Sequence, residues 1–258
     1  MNEQPLLDVR VLSYFHAPGK GFGQVSFTLY PGDVLGIVGE SGSGKSTLLN
    51  SLSGKLKPQQ GQIVYRNTAG QAVELYGLRE SERRQLLRTE WGFVHQHARD
   101  GLRMTVSGGA NIGERLMAGG ERHYGRIREQ ACRWMSDVEL DIERIDDKPV
   151  TYSGGMQQRL QIARNLVTNP ALILMDEPTG GLDVSVQARL LDLLRRLVSE
   201  LRLAVILVTH DLAVARLLAQ QLIVMRRGEV VEAGLTDQVL DDPHHPYTQL
   251  LVSSILSS

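Results

Sequence analysis

Residues 39–47 read Gly39-Glu40-Ser41-Gly42-Ser43-Gly44-Lys45-Ser46-Thr47, a stretch of glycines, small hydroxyls and one lysine with little to pack. Val34-Leu35-Gly36-Ile37-Val38 leads into it and Leu48-Leu49 follows. A strand, a glycine turn and a helix start leave backbone N–H groups pointing outward, which makes an anion cradle. The pattern G-x-x-x-x-G-K-S is complete at Gly39, Gly44, Lys45 and Ser46. With a nucleotide bound, Lys45 reaches the outer phosphates and the Ser46 hydroxyl ligates magnesium. The plainer reading, a flexible loop joining a strand to a helix, leaves the complete pattern unexplained.

Two further groups could complete such a site. Leu172-Ile173-Leu174-Met175 ends in Asp176-Glu177, two carboxylates where an apolar strand should emerge. Asp176 would hold magnesium, directly or through water, and Glu177 would orient or deprotonate an attacking water. Taken alone, the pair is a solvated acidic turn. Ser153-Gly154-Gly155 opens an amphipathic stretch and offers a second anion-binding helix N-terminus. Serine there is also an ordinary N-cap.

The elements that must position these groups can be read coarsely. Residues 6–35 alternate short apolar stretches with the turns Ala17-Pro18-Gly19 and Tyr30-Pro31-Gly32, the pattern of antiparallel strands. The helix after the phosphate loop should end near Gly54, and a second strand region covers 61–65. From about Leu102 to Leu160 the periodicity is helical. Three buried strands follow, at 171–175, 204–208 and 222–225, separated by helices such as 186–201. Strand–helix–strand order implies an α/β chain whose parallel, helix-covered sheet is interrupted by a helical insertion.

Composition narrows the class. The 258 residues are 42% hydrophobic and 22% charged, with a net charge of −1, which gives no overall pull toward nucleic acid or anionic lipid. The charge run 79–88 mixes signs and reads as a solvated helix face. One cysteine, Cys132, cannot form an internal disulfide and fits a packed thiol in a reducing compartment. The N-terminus lacks the basic and apolar regions of a signal peptide. No apolar run approaches the roughly 20 residues that span a bilayer, so a cytoplasmic chain without direct membrane insertion is expected.

The order of phosphate loop, Ser-Gly-Gly turn and acidic strand resembles the ATP-binding-cassette family, whose signature reads Leu-Ser-Gly-Gly-Gln. Here Tyr152 and Met156 hold the outer signature positions and Ser153-Gly154-Gly155 the inner ones. The resemblance runs from Leu6 to about Ser254. It implies a single domain over 6–254 with a parallel core sheet and an antiparallel β subdomain. The nucleotide-binding lobe would cover about 6–96 and 165–254, with a helical subdomain at about 97–164. It further implies ATP and Mg²⁺ as cofactors and an ATPase activity. Gln96, in Phe93-Val94-His95-Gln96, matches the glutamine loop, which in the family contacts magnesium and senses the γ-phosphate. His210, in Val208-Thr209-His210-Asp211, matches the switch histidine that contacts the γ-phosphate. Gly180-Gly181-Leu182-Asp183 matches the loop coupling two nucleotide sites. Family register puts His16 at the adenine-stacking position, with Phe15 and Tyr14 adjacent, and leaves open which of them stacks. Family members sandwich nucleotide between the phosphate loop of one subunit and the signature of another, so the resemblance implies a dimer or a second cassette subunit.

Two lines divide the candidates within the family. The tail Asp241-Asp242-Pro243-His244-His245-Pro246-Tyr247-Thr248 looks like that of peptide and nickel importer ATPases. The stretches 152–167, 178–189, 95–103 and 111–117 look very like the cassette subunit of the bacterial carbon–phosphorus lyase system. That resemblance implies docking on a soluble enzyme core that breaks down phosphonates. The lyase chemistry itself would lie elsewhere, because one cysteine cannot build a radical iron–sulfur site. A nucleic-acid-linked cassette protein is a weaker third reading, since the second cassette or long coil usual there is missing.

Overall fold

The computed structural model describes residues 4–255. The chain packs as two compact units, one formed by residues up to Arg83 with those from Leu197 onward, the other by Arg84–Arg196. In the first unit, β1 (Leu7–Ala17) and β2 (Lys20–Leu29) form an antiparallel hairpin around the expected Pro18-Gly19 turn. Next come β3 (Val34–Val38) and α1 (Lys45–Leu52), with the phosphate loop between them. β4 (Gln60–Arg66) and β5 (Ala72–Glu74) complete an antiparallel sheet in the order β2-β1-β4-β5. α2 (Glu80–Thr89) buries none of its residues, as its mixed charges require.

The second unit holds β6 (Trp91–Val94) and then four helices: α3 (Ala98–Gly101), α4 (Gly108–Ala118), α5 (Tyr124–Asp137) and α6 (Gly154–Leu166). This is the expected helical insertion. Its core is made by Ile112, Ala131, Trp134, Met135, Leu160 and Ala163, all buried. Ser107 and Ser153 accept backbone N–H bonds as N-caps of α4 and α6. β7 (Leu172–Asp176) then pairs in parallel with β6, setting Val94 opposite Met175, and α7 (Val184–Leu201) follows.

The chain returns to the first unit with β8 (Ala204–Thr209), α8 (Leu212–Leu218), β9 (Gln221–Arg226) and β10 (Glu229–Leu235). α9 (Thr236–Asp241) and α10 (Pro246–Ile255) close it. β3 lies between β8 and β9, parallel to both, while β10 is antiparallel to β9. Every residue of β3 and β8 is buried. Continuous apolar runs of this kind belong to parallel strands covered on both faces. Among the described residues no helix is long and apolar enough to cross a membrane.

Candidate functional site

The phosphate loop leaves the sheet at the end of β3. Its lysine is buried, with 6% of its surface exposed, and is held by the loop itself. The Lys45 ammonium donates to the Gly39 carbonyl at 2.6 Å, the Glu40 carbonyl at 2.9 Å and Ser43 Oγ at 3.4 Å. A buried ammonium at the mouth of a helix, held among loop oxygens, is a site that favours an anion. Gly39 and Gly44 have φ of 149° and 102°, and a Cβ on either would collide with backbone oxygen, of Met225 and Gly21 respectively. The glycines are there because the loop threads between other main chains. Ser46 and Ser41 are exposed and Thr47 is half-buried.

His210 follows β8 directly and is exposed. The β3–β8 register sets Val38 opposite Thr209, so Gly39 and His210 leave the sheet at the same level. Asp211 then caps α8 by accepting from the N–H groups of Ala213 and Val214. In the same unit, Tyr14 and His16 share one face of β1, their rings stacked with centroids 6.5 Å apart. Phe15 falls on the opposite face, where its ring would be 3.1 Å from a Cβ at Gly23. Strand alternation thus separates the three adenine-stacking candidates into a Tyr14–His16 pair and a lone Phe15.

Within the second unit the remaining candidates cluster. Asp176 ends β7, and Glu177 turns the chain with φ 45°, a left-handed conformation rare for a residue with a side chain. The Glu177 carbonyl accepts from Gly180 N–H at 2.9 Å. A Cβ on Gly180 would sit 3.1 Å from Gln96 Nε2, so the glutamine-loop side chain lies against the turn that follows the two carboxylates. Ser153 Oγ accepts from Met156 N–H at 3.3 Å. Gly154 and Gly155 face Leu182 and Val186, which brings the Ser-Gly-Gly turn against the segment containing Asp183. The two departures from the family signature also have local partners. Tyr152 donates its hydroxyl to the Arg144 carbonyl at 2.6 Å, and the Arg144 guanidinium reaches Met156 Sδ at 3.6 Å. Burial raises the Tyr152 phenol above its ordinary range, so it remains a donor at neutral pH.

One arrangement was not visible as a motif. On α6, Asn165 accepts from Phe93 N–H and donates to the Phe93 carbonyl, both at 3.0 Å. Gln161 treats His95 the same way, at 2.6 and 3.1 Å, and Gln158 adds a bond to the His95 carbonyl at 3.1 Å. Gln158, Asn165 and Gln161 are buried. Their carboxamides satisfy Phe93 in β6 and His95 just beyond its end, as a neighbouring strand would. They thereby fix the backbone one residue before Gln96 to the helix that begins at the Ser-Gly-Gly turn. The sequence signal is a stripe of amides at i, i+3 and i+7 on an otherwise apolar helix face. Gln161→Glu replaces the donor to the His95 carbonyl by an acceptor. It should cost on the order of 1–3 kcal/mol, the range for a buried polar group left unpaired. Thermal denaturation should show a midpoint lower by several degrees. An unchanged midpoint would show that the stripe adds nothing.

Comparison with known proteins follows the same outline. Residues 22–180 match the family model described as ABC transporter, and residues 231–258 match the model described as Oligopeptide/dipeptide transporter, C-terminal region. The chain is 69% identical over 255 residues to the phosphonates utilization ATP-binding protein PhnK of Escherichia coli (strain K12), covering 99% of each. It is 35% identical over 271 residues to a peptide import ATP-binding protein of Brucella ovis, covering 99% of this chain and 79% of that one. Among solved structures, the dimeric, post-hydrolysis ATP-binding cassette MJ0796 bound to ADP and Pi is 29% identical with a TM-score of 0.76, over 89% of this chain and 98% of that one. The cassette cbiO1 of Clostridium perfringens is 26% identical with a TM-score of 0.80, over 93% and 92%. The buried phosphate-loop lysine, the carboxylates ending β7 and this full-length likeness agree: the chain belongs to the ABC transporter ATPase family and is an ATP-binding, ATP-hydrolysing cassette.

Proposed function

We propose that the protein acts as a pair of cassettes in the cytoplasm, docked on a soluble carbon–phosphorus lyase assembly, and that its ATP cycle supports phosphonate breakdown. The observation that carries this reading is the 69% identity, over 99% of both chains, to a phosphonates utilization ATP-binding protein. The dimer is supported by the dimeric cassette MJ0796, and by the presence of one phosphate loop and one Ser-Gly-Gly turn per chain. In each half, Gly39–Thr47 would wrap the phosphates and Lys45 would neutralise the outer ones. His16, paired with Tyr14, would meet the adenine. Glu177 would orient or deprotonate the attacking water, with His210 and Gln96 at the γ-phosphate. Ser153, Gly154, Gly155 and Asp183 would face the partner's nucleotide.

The donors fit magnesium: a serine hydroxyl at Ser46, a carboxylate at Asp176 and a carboxamide at Gln96 are hard oxygen ligands. Magnesium usually keeps several waters and takes only one or two protein carboxylates beside substrate phosphates. When bound, Mg²⁺ would offset the charge that develops on the phosphate oxygens. The helical region between Gln96 and Ser153 would grip the enzyme core, as it would grip a transporter in an importer. ATP would alter that grip, because the glutamine loop joins this region to the γ-phosphate.

A second reading, an importer ATPase for peptides or phosphonates, draws on the C-terminal match and the peptide-import relatives. Affinity purification from phosphate-starved cells separates the two. Soluble lyase subunits should co-purify with the wild-type chain, and Lys45→Ala should change their recovery. Recovery of a multi-span permease without soluble lyase subunits would establish the importer instead.

A further inference from the structure

We propose that Tyr247 is a positioning residue for the phosphate loop, and that the His-Pro-Tyr turn of the C-terminal tail serves to set its hydroxyl there. Tyr247 is 2% exposed, and its hydroxyl oxygen accepts from the Glu40 N–H at 3.0 Å. That N–H and the Gly39 carbonyl belong to one peptide group. The Lys45 ammonium donates to the carbonyl end at 2.6 Å, so a single peptide plane is held at one end by the phosphate-binding lysine and at the other by Tyr247. The orientation of this plane fixes where the ammonium is anchored. Gly39 gives it freedom to turn, with φ 149° and no Cβ to limit it.

The rest of the tail holds the phenol in place. The Glu232 carboxylate on β10 accepts from His244 N–H at 2.8 Å and His245 N–H at 3.0 Å. His245 Nδ1 accepts from Tyr247 N–H at 3.1 Å. Pro246 occupies the first turn of α10, where its missing N–H costs nothing. The ring packs with Val38, Leu212, Ala215 and Val239, and the Arg226 guanidinium lies 4.8 Å from its centroid. Val38 precedes the phosphate loop and Leu212 follows His210 by two residues. The tail is therefore braced on both sides of the phosphate-binding end of the sheet.

Tyr247→Phe keeps the ring and its packing but removes the acceptor. In the full-length chain the Kd and KM for ATP should rise about 3–10-fold, the range of one hydrogen bond, with kcat within about twofold. Hydrogen exchange at the Glu40 amide should accelerate, because its partner is gone. Glu232→Gln, which leaves one acceptor for two N–H groups, should move the same quantities in the same direction by less. Wild-type ATP affinity and unchanged Glu40 exchange in Tyr247→Phe would overturn the proposal, and a lowered melting temperature beside both would reduce Tyr247 to packing. The inference rests on Lys45 as the phosphate lysine, so Lys45→Ala is measured alongside. If that variant binds ATP like wild type the lysine reading fails, while exchange at Glu40 still reports the Tyr247 bond.

Discussion

Glu177→Gln is expected to leave ATP bound and to lower its hydrolysis about 10²–10⁴-fold, the usual worth of a general base. The substitution preserves size and shape and removes only the capacity to take a proton from water. The backbone should tolerate it. Residue 177 holds φ 45° because the turn is closed by the Gly180 N–H bond to its carbonyl, and that bond does not involve the side chain. Keeping a side-chain residue in this conformation costs of order 1–3 kcal/mol, and such strain gathers where the fold must aim a group. Lys45→Ala should behave oppositely. It removes the one buried cation of the phosphate loop, so nucleotide affinity falls before turnover can be asked about. Binding of labelled ATP to both variants, with single-turnover hydrolysis for Glu177→Gln, separates the two losses. Wild-type turnover by Glu177→Gln would remove Glu177 from the role.

The contrast between these residues and Tyr247 shows what a sequence can display. The phosphate loop is written in nine consecutive residues, because its binding groups are backbone N–H groups and the sequence need only let the backbone turn. Asp176 and Glu177 are legible for a related reason, since an apolar strand that ends in two carboxylates announces where it surfaces. The Tyr247 bond joins residues 207 positions apart, and nothing near either end predicts it. The amide stripe of α6 was readable as polar residues at helical spacing, but its partner β6 is only four residues long, Trp91–Val94. A run so short carries too little alternation to be recognised as a strand. Near the proposed adenine position, the adjacent aromatic and imidazole rings of Tyr14, Phe15 and His16 were indistinguishable until β1 divided them between its faces. The surfaces that bind small anions are thus local in the chain, and the contacts that hold those surfaces still are not.

Ser153→Arg tests the proposed shared site, where the turn of one chain would meet the nucleotide of another. Ser153 and Gly154 are exposed, whereas Gly155 is buried with Val186 so close that a Cβ there would meet Val186 Cγ1 at 2.5 Å. Bulk added at 153 therefore projects from the turn without disturbing the packing behind it. The substitution also removes the N-cap bond to Met156, worth about 1 kcal/mol, and places a cation at the positive end of the helix. ATP binding by the separate chain should be unaffected, because in the proposed shared site the turn meets only the partner's nucleotide. On a Glu177→Gln background, where ATP should persist, light scattering should find a dimer with the wild-type turn and a monomer with Ser153→Arg. Ser153→Ala supplies the control: it loses the cap without adding bulk or charge, and it should still dimerise. If Ser153→Arg dimerises as well as Ser153→Ala, the turn does not face a partner's nucleotide and each chain must complete its site alone.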